Sequence, residues 1–225
     1  MSVVIHVARH YTRPLLRRFL EVVGEPGPKY IALSGGRTPR DFFHLLATQW
    51  RDDIPWDRIE FFQVDERRLP ADQAGSNWQQ IRELILDFVP EAHAHPMNAM
   101  QREAAGDYDT LLCNKLPLAP GGVPVFDLVL LGLGADGHTA SLFPGTAALE
   151  ETRLNVTYNL VPQIEAERIT LTFPVLNAAR HRWFTLRGAD RREVFREVLD
   201  GNHPAGRIHE PEWFVEPDTL APQSE

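Results

Sequence analysis

The sequence predicts an α/β protein built on a mostly parallel sheet. Three apolar strand-like segments, at 30–36, 59–67 and 126–134, each run into a glycine-rich or charged loop, and helix-like segments separate them. Strands that alternate with helices are typical of parallel sheets, and the segment at 126–134 is apolar enough to be covered on both faces. Ligands of such sheets bind beyond the carboxyl ends of the strands, so we expect the functional residues in these three loops.

Helical periodicity places the remaining elements. Apolar residues recur at helical spacing in five segments, at 9–23, 38–50, 76–88, 102–116 and 190–199. Thr38 is placed to cap a helix before Pro39, and Ser76 and Gln79 have the spacing of a capping box. Further strands are predicted at 168–176, at 182–188 and near 212–217. Because no linker, repeat or low-complexity run divides the chain, residues 1–225 are expected to form one domain.

Composition and charge exclude several classes of protein. Of the 225 residues, 43% are hydrophobic and 24% are charged, which is the balance of a folded chain. The apolar runs reach about ten residues, half of a membrane span, so no membrane partner is expected. The net charge of −8 argues against nucleic acid as a partner. A single cysteine and an N-terminus without a secretory signal predict a cytoplasmic location.

The loop after the first strand, SGGRTP at 34–39, has the composition of an anion site. Gly35 and Gly36 allow backbone N–H groups to turn toward an anion, and the start of the next helix adds its positive end. Ser34 and Thr38 supply hydroxyl groups. A tight strand-to-helix turn with a threonine cap explains the same residues equally well.

The second loop, VDERR at 64–68, combines two acids with two arginines. Asp65 is a candidate to orient a substrate hydroxyl or to act as a base, and Arg67 is a candidate to hold a phosphate with its planar guanidinium. Taken alone, the segment is more often a solvated charge run. Arg168 at a strand start and Arg191 at a helix start are each explained alone by surface ion pairs or an exposed basic turn.

The third loop, GLGADGHTASLFPG at 132–145, presents Asp136 and His138. A neutral imidazole is a candidate general base near pH 7, and Asp136 is placed to orient it or to hold a hydroxyl. A lone histidine is explained more simply by capping or packing. The histidines show no metal-binding spacing, and Pro144 follows the glycines too soon for a dinucleotide-binding helix, so no metal and no cofactor are expected.

Taken jointly and in order, these segments resemble the 6-phosphogluconolactonase family of the glucosamine-6-phosphate isomerase/deaminase-like superfamily. The resemblance rests on SGGRTP (34–39), VDERRLP (64–70) with SNW (76–78), GLGADGHTASLFPG (132–145) and RITLTFPVLNAA (168–179). Deaminase relatives typically have NGHIAFNEP where this chain has DGHTASLFPG, which favours the lactonase branch. The resemblance implies a Rossmann-like three-layer α/β sandwich that binds no nucleotide.

The resemblance also implies a reaction, the hydrolysis of 6-phospho-D-glucono-1,5-lactone to 6-phosphogluconate in the oxidative pentose phosphate pathway. His138 is then the expected general base, with Asp136 and Asp65 as the nearby carboxylates; which of the two orients the base stays open. The substrate phosphate is expected to contact Ser34, Gly35, Gly36, Thr38, Arg67, Arg168 and Arg191. Arg191 stands where the family usually has a lysine, so a planar guanidinium group replaces a compact ammonium group as the hydrogen-bond donor.

Three alternatives stay open. The same pocket suits a sugar-phosphate isomerase or deaminase with Asp65 as its base, or a non-catalytic sugar-phosphate sensor. An NAD(P)-binding enzyme is the third, through Gly132, Gly134 and Gly137. In the favoured interpretation the partner is a small-molecule sugar-phosphate lactone, and the protein is a monomer or a small homo-oligomer.

Overall fold

A computed structural model of the protein describes residues 3–36 and 38–220. The strands are β1 (Val4–Val7), β2 (Lys29–Leu33), β3 (Ile59–Gln63), β4 (Asp65–Arg67), β5 (His93–His95), β6 (Leu118–Ala119), β7 (Val123–Pro124), β8 (Leu128–Leu131), β9 (Val156–Val161), β10 (Ala166–Leu171), β11 (His181–Leu186) and β12 (Glu212–Val215). The helices are α1 (Thr12–Gly24), α2 (Arg40–Gln49), α3 (Asn77–Leu84), α4 (Ala104–Lys115), α5 (Phe173–Ala178) and α6 (Arg192–Leu199).

Three sheets organise these elements. The large sheet has seven strands in the order β1-β12-β11-β8-β2-β3-β5, and every neighbouring pair is parallel. The small sheet is antiparallel, with the order β4-β10-β9, and β6 pairs with β7 in a short antiparallel ribbon. None of the helices in the described ranges has the length and apolar character needed to cross a bilayer.

Helices cover both faces of the large sheet, which confirms the predicted three-layer sandwich. Successive residues of a strand point to opposite faces. Ile31 and Leu130 belong to the core under α1, α2 and α3. Their neighbours Ala32 and Leu131 belong to the core under α4, α5 and α6. Both faces of β2 and β8 are therefore apolar, as expected for parallel strands covered on both sides.

The helix predicted at 38–50 begins later than expected. It starts at Arg40 with Pro39 in the N-cap position, and Thr38 makes no side-chain cap bond. The Thr38 carbonyl instead accepts a hydrogen bond from the hydroxyl of buried Tyr11 on the preceding chain segment. This bond fixes the loop after β2 to the core. Because Pro39 occupies the N-cap position, the cap predicted for Thr38 is wrong.

The strand predicted at 59–67 divides between two sheets. Val64 separates β3 from β4, and its N–H donates to the Leu33 carbonyl of the large sheet at 3.1 Å. Its own carbonyl accepts a hydrogen bond from the Leu171 N–H of the small sheet at 2.9 Å. The polar end of this segment therefore belongs to the small sheet.

The strand predicted at 168–176 is wrong in its second half. β10 ends at Leu171, and α5 begins at Phe173 with Pro174 in its first turn. Proline is tolerated there because the first N–H groups of a helix have no partner within the helix. β9, which the sequence pattern did not predict, pairs antiparallel with β10 and completes the small sheet.

Candidate active site

The carboxyl ends of β2, β3 and β8 surround a cavity of about 430 Å³. These three strands are neighbours in the large sheet, so the loops that follow them meet at one edge. Nine of the ten predicted site residues line the cavity: Ser34, Gly35, Gly36, Thr38, Asp65, Arg67, His138, Arg168 and Arg191. The tenth, Asp136, is hydrogen-bonded to one of them, His138.

His138 and Asp136 form a hydrogen-bonded pair on one wall of the cavity. Nδ1 of the imidazole lies 2.5 Å from Oδ1 of the carboxylate, and the ring stacks on Phe143 with centroids 3.9 Å apart. Although burial opposes it, the hydrogen bond with His138 lowers the pKa of the Asp136 carboxyl below its ordinary value. An ionised carboxylate at Nδ1 retains the proton there and leaves the lone pair of a neutral imidazole on Nε2.

Two glycines make this pair possible. The turn at 134–138 is closed by hydrogen bonds from the Gly134 N–H to the His138 carbonyl at 2.9 Å and from the Gly137 N–H to the Gly134 carbonyl at 3.1 Å. A Cβ on Gly134 would overlap the imidazole, and Gly137 has φ +78°, which favours glycine. The glycines thus allow the Asp136–His138 pair to form. A dinucleotide-binding fingerprint requires an α-helix directly after its glycines, and in the described chain no α-helix lies between them and β9.

Two arginines from the small sheet form another wall. Arg67 on β4 is directly opposite Arg168 on β10, an arrangement that is unfavourable for like charges. The Nε atoms of both arginines and the Ser34 hydroxyl are buried without a hydrogen-bond partner among the described residues. Burial and the charge of Arg67 lower the pKa of Arg168, against the attraction of Asp65. Buried donors without partners of this kind can bind an anion.

Asp65 lines the same cavity and lies close enough to Arg168 and Arg67 for their charges to act on its carboxyl group. It is buried, and its Oδ2 lies 2.6 Å from the Ser141 hydroxyl. Burial raises the pKa of the Asp65 carboxyl, while the hydrogen bond from Ser141 and the charge of Arg168 oppose the rise. The two carboxylates therefore have different surroundings, and Asp136 is the one that contacts His138.

Glu66, which lies between the cavity residues Asp65 and Arg67, is a supporting residue that the sequence pattern did not single out. Its carboxylate is only 3% exposed, yet it accepts hydrogen bonds of 2.7 to 3.0 Å from five groups. The donors are Gln63 Nε2, Arg67 N, Ser76 Oγ, Asn77 N and Trp78 N. The carboxylate thus holds the positive end of α3 against β4. In the sequence, the only signal was the second acid of VDERR.

The predicted cap of α3 is confirmed and connects to the site. Ser76 Oγ accepts a hydrogen bond from the Gln79 N–H at 3.2 Å. The next residue, Asn77, donates through Nδ2 to the Asp65 carbonyl at 2.9 Å. A Cβ on Gly35 would overlap the Asn77 side chain, so glycine is needed where the loop after β2 meets α3.

Some predicted phosphate donors already have partners. The Gly36 N–H donates to Gln80 Oε1 at 2.8 Å, so this amide is not free for an anion. The Arg191 guanidinium lines the cavity but lies 3.4 Å from the Asp190 carboxylate. Within residues 3–36 and 38–220, no three His, Cys, Asp or Glu side chains gather as metal ligands would.

An imidazole held by a carboxylate, in one cavity with two half-buried guanidinium groups, can move a proton while an anionic group is bound. Together with the sheet, this defines the class as an α/β enzyme with an acid–base site for a small anionic substrate. The family model described as glucosamine-6-phosphate isomerases/6-phosphogluconolactonase matches residues 5–219. The chain belongs to that family, which confirms the resemblance.

Individual relatives agree with this assignment. A 6-phosphogluconolactonase from Synechocystis sp. is 39% identical over 188 residues, which cover 81% of this chain and 76% of the relative. One from Chlamydia muridarum is 35% identical over 188 residues, covering 83% of this chain and 70% of the relative. The structure of 6-phosphogluconolactonase from Trypanosoma brucei superimposes with a TM-score of 0.83 at 27% identity, covering 97% of each chain.

Proposed function

We propose that this chain hydrolyses 6-phospho-D-glucono-1,5-lactone to 6-phosphogluconate, the second step of the oxidative pentose phosphate pathway. The relatives named 6-phosphogluconolactonase support this reaction and do not favour the isomerase or deaminase alternative. The observation that carries the proposal is that the His138 imidazole, hydrogen-bonded to Asp136, lines the same cavity as Arg67 and Arg168. These two groups of side chains suit the two ends of a phosphorylated lactone.

The arginine wall binds the phosphate. The guanidinium groups of Arg67 and Arg168 have buried Nε donors without partners among the described residues, and the Ser34 hydroxyl is in the same condition. Gly35 and Thr38 complete this end of the cavity. Because the whole chain carries a net charge of −8, a local cluster of cations is needed to attract a dianion.

His138 activates water at the lactone carbonyl. Nε2 accepts a proton as the water oxygen bonds to C1, and the Asp136 carboxylate stabilises the imidazolium that forms. The tetrahedral intermediate then breaks the bond between C1 and the ring oxygen. The imidazolium returns its proton to that oxygen, which leaves a free hydroxyl and a carboxylic acid that ionises. General acid–base catalysis of this kind accelerates reactions by about 10²–10⁴.

Asp65 has a separate role in this proposal. Its buried carboxyl lies on the arginine side of the cavity and contacts Ser141 rather than the imidazole. A carboxyl in that place holds a sugar hydroxyl and orients the ring between the two walls. Arg191 adds a further cation at the cavity, although it shares its charge with Asp190.

The cellular setting follows the same proposal. The single cysteine suits a reducing compartment, and we place the reaction in the cytoplasm.

A coupled assay tests the function. Glucose-6-phosphate dehydrogenase generates the lactone in place, and its disappearance is compared with spontaneous hydrolysis, with and without the protein. We expect a clear acceleration by the wild-type chain and almost none by His138→Ala. Incubation with glucosamine-6-phosphate should release no ammonia. Hydrolysis at the spontaneous rate, or ammonia release, would refute the proposal.

A further inference from the structure

A second histidine, which the proposed reaction does not use, lies behind the turn that carries His138. His203 belongs to the segment between α6 and β12. A Cβ built on Gly137 would overlap Cβ, Cγ and Nδ1 of His203, so the imidazole packs directly against the Cα of that glycine. On its other side, the His203 Nε2 atom lies 2.7 Å from Glu197 Oε2 on α6. The ring is therefore held between α6 and the turn at 134–138.

The backbone of the same segment is bonded to the same glycine. The Ala205 N–H donates to the Gly137 carbonyl at 3.1 Å, and both Pro204 and Ala205 are buried. The Gly206 N–H donates to the His203 carbonyl at 2.9 Å, which makes the segment a turn of its own. Gly137 is thus held by two contacts with this segment, the packing of the His203 ring and the hydrogen bond from Ala205.

Gly137 lies between Asp136 and His138 in the chain, so its conformation determines how these two side chains meet. It adopts a positive φ, and glycine has more conformational freedom than any other residue. The side chains of His138 and Asp136 are 28% and 45% exposed, so water competes for their hydrogen bond. Packing on Gly137 restricts the turn at the point where it would otherwise be free.

We propose that His203 is a positioning residue, whose ring, anchored by Glu197, holds Gly137 in the conformation that brings the Asp136 carboxylate and the His138 imidazole together. The catalytic part of this inference rests on the proposed function, because the pair matters for turnover only if His138 acts on the substrate. The geometric part, in which His203 holds the Asp136–His138 pair together, does not depend on the proposed function. The contact with Gly137 is steric, so the size of the ring matters more than its charge.

Two substitutions separate these contributions. His203→Ala removes both the ring and its bond to Glu197, whereas His203→Phe retains an aromatic ring of similar size without the bond. His209→Ala is the matched control, since His209 is an exposed histidine a few residues further along the same segment. Each variant is assayed for kcat and KM with the lactone, and the pKa of the Asp136 carboxyl is measured by NMR.

We expect His203→Ala to lower kcat roughly tenfold and to change KM less than about twofold, because misplacement of a catalytic group affects turnover more than binding. The pKa of Asp136 should rise toward its ordinary value, since the hydrogen bond that lowers it is weakened. His203→Phe should recover most of both properties, and His209→Ala should match the wild type.

The outcomes are decisive in each direction. Wild-type kcat and an unchanged Asp136 pKa in His203→Ala would overturn the inference, as would a raised KM with an unchanged kcat. If His203→Ala does not fold, His203→Ser, which also removes the ring, takes its place; a fall in kcat and a rise in the Asp136 pKa support the inference, and no change overturns it. If the wild-type chain has no lactonase activity, the proposed function fails, and the Asp136 pKa alone decides the positioning role.

Discussion

Arg168→Met is expected to weaken substrate binding without destabilising the fold. The guanidinium lies opposite Arg67 in the small sheet, and its buried Nε has no partner in the described part of the chain. Burial and the neighbouring charge lower its pKa, which means that the folded state disfavours the charged form. Methionine occupies a similar volume without charge. Relief of the like-charge pair, worth about 0.2–1 kcal/mol, is offset by the lost attraction to Asp65, so the free energy of unfolding should change by less than about 1 kcal/mol.

Substrate binding should change more than stability does. A phosphate at this wall loses one charge-assisted hydrogen-bonding partner, and hydrogen bonds to charged groups contribute about 1.5–3 kcal/mol. At about 1.4 kcal/mol per factor of ten, KM should rise roughly 10- to 100-fold. The Arg168 guanidinium lies 5.8 Å from the centroid of the Phe143 ring, on which the His138 imidazole stacks, so kcat should also fall, but by less than KM rises. Arg168→Lys retains a cation and should lie between the two, because it lacks the planar fork.

The assay combines lactonase kinetics with thermal unfolding, each with and without inorganic phosphate. A ligand that binds the folded state raises the unfolding temperature, so phosphate should stabilise the wild type and have little effect on Arg168→Met. Arg180→Met is the control, since Arg180 is exposed beside Asp127 at the opposite end of the sheet. An unchanged KM in Arg168→Met, or a clear loss of stability, would refute the reasoning.

Substitutions at His138, Gly134 and Glu212 test the base, the turn that positions it and an ion pair elsewhere in the fold. His138→Ala should lower kcat by about 10²–10⁴ with unchanged thermal unfolding, and a near-normal kcat would remove the base role. Gly134→Ala places a Cβ against the His138 imidazole and should lower kcat in a folded protein; circular dichroism and kinetics check both parts. Although burial opposes it, hydrogen bonds led by that from Arg18 lower the pKa of Glu212 to about 2. This stabilisation is present above the ordinary glutamate pKa and is lost as the pH falls toward 2. Glu212→Gln should therefore unfold more easily at pH 7, by on the order of 2 kcal/mol after allowance for solvent screening, and denaturation between pH 5 and 2 should depend less on pH than in the wild type.

Much of the site could be predicted from the sequence because its parts lie at the ends of strongly apolar strands. The segments at 30–36 and 126–134 have the continuous apolar character of buried parallel strands, so the loops after them were expected at one edge of a sheet. The positions of Ser34 and His138 followed directly from this arrangement. Only the topology was needed, and alternation of strands and helices predicts topology well.

The small sheet could not be predicted in the same way. The change of sheet at Val64 occurs within a continuous strand-like pattern, and no turn residue marks it. The pairing of Arg67 with Arg168 joins residues about a hundred positions apart, and sequence periodicity does not report such register. Glu66 was missed for a related reason, because three of its five donors, at residues 76–78, reach it only when α3 folds back onto β4.

The helix predicted to start near Thr38 shows a different limit. A threonine followed by proline has the pattern of a capped helix start, but the tertiary bond from Tyr11 to the Thr38 carbonyl shifts the first turn. In the C-terminal stretch, His203 had no local pattern that distinguished it from the other histidines. Its contact with Gly137 exists only in the folded chain.

Val64, hydrogen-bonded on one side to Leu33 and on the other to Leu171, joins the two sheets. The large sheet positions the proposed base, and the small sheet carries the two arginines of the cavity. Proteins open locally at lower free energy than they unfold globally, and a three-stranded sheet separate from the seven-stranded one is a candidate unit for such opening. If the small sheet detaches on warming, His138 stays in place, whereas Arg67 and Arg168 no longer bind the phosphate. Inactivation should then precede the loss of helical signal, and amides of β9 and β10 should exchange with deuterium before those of β8.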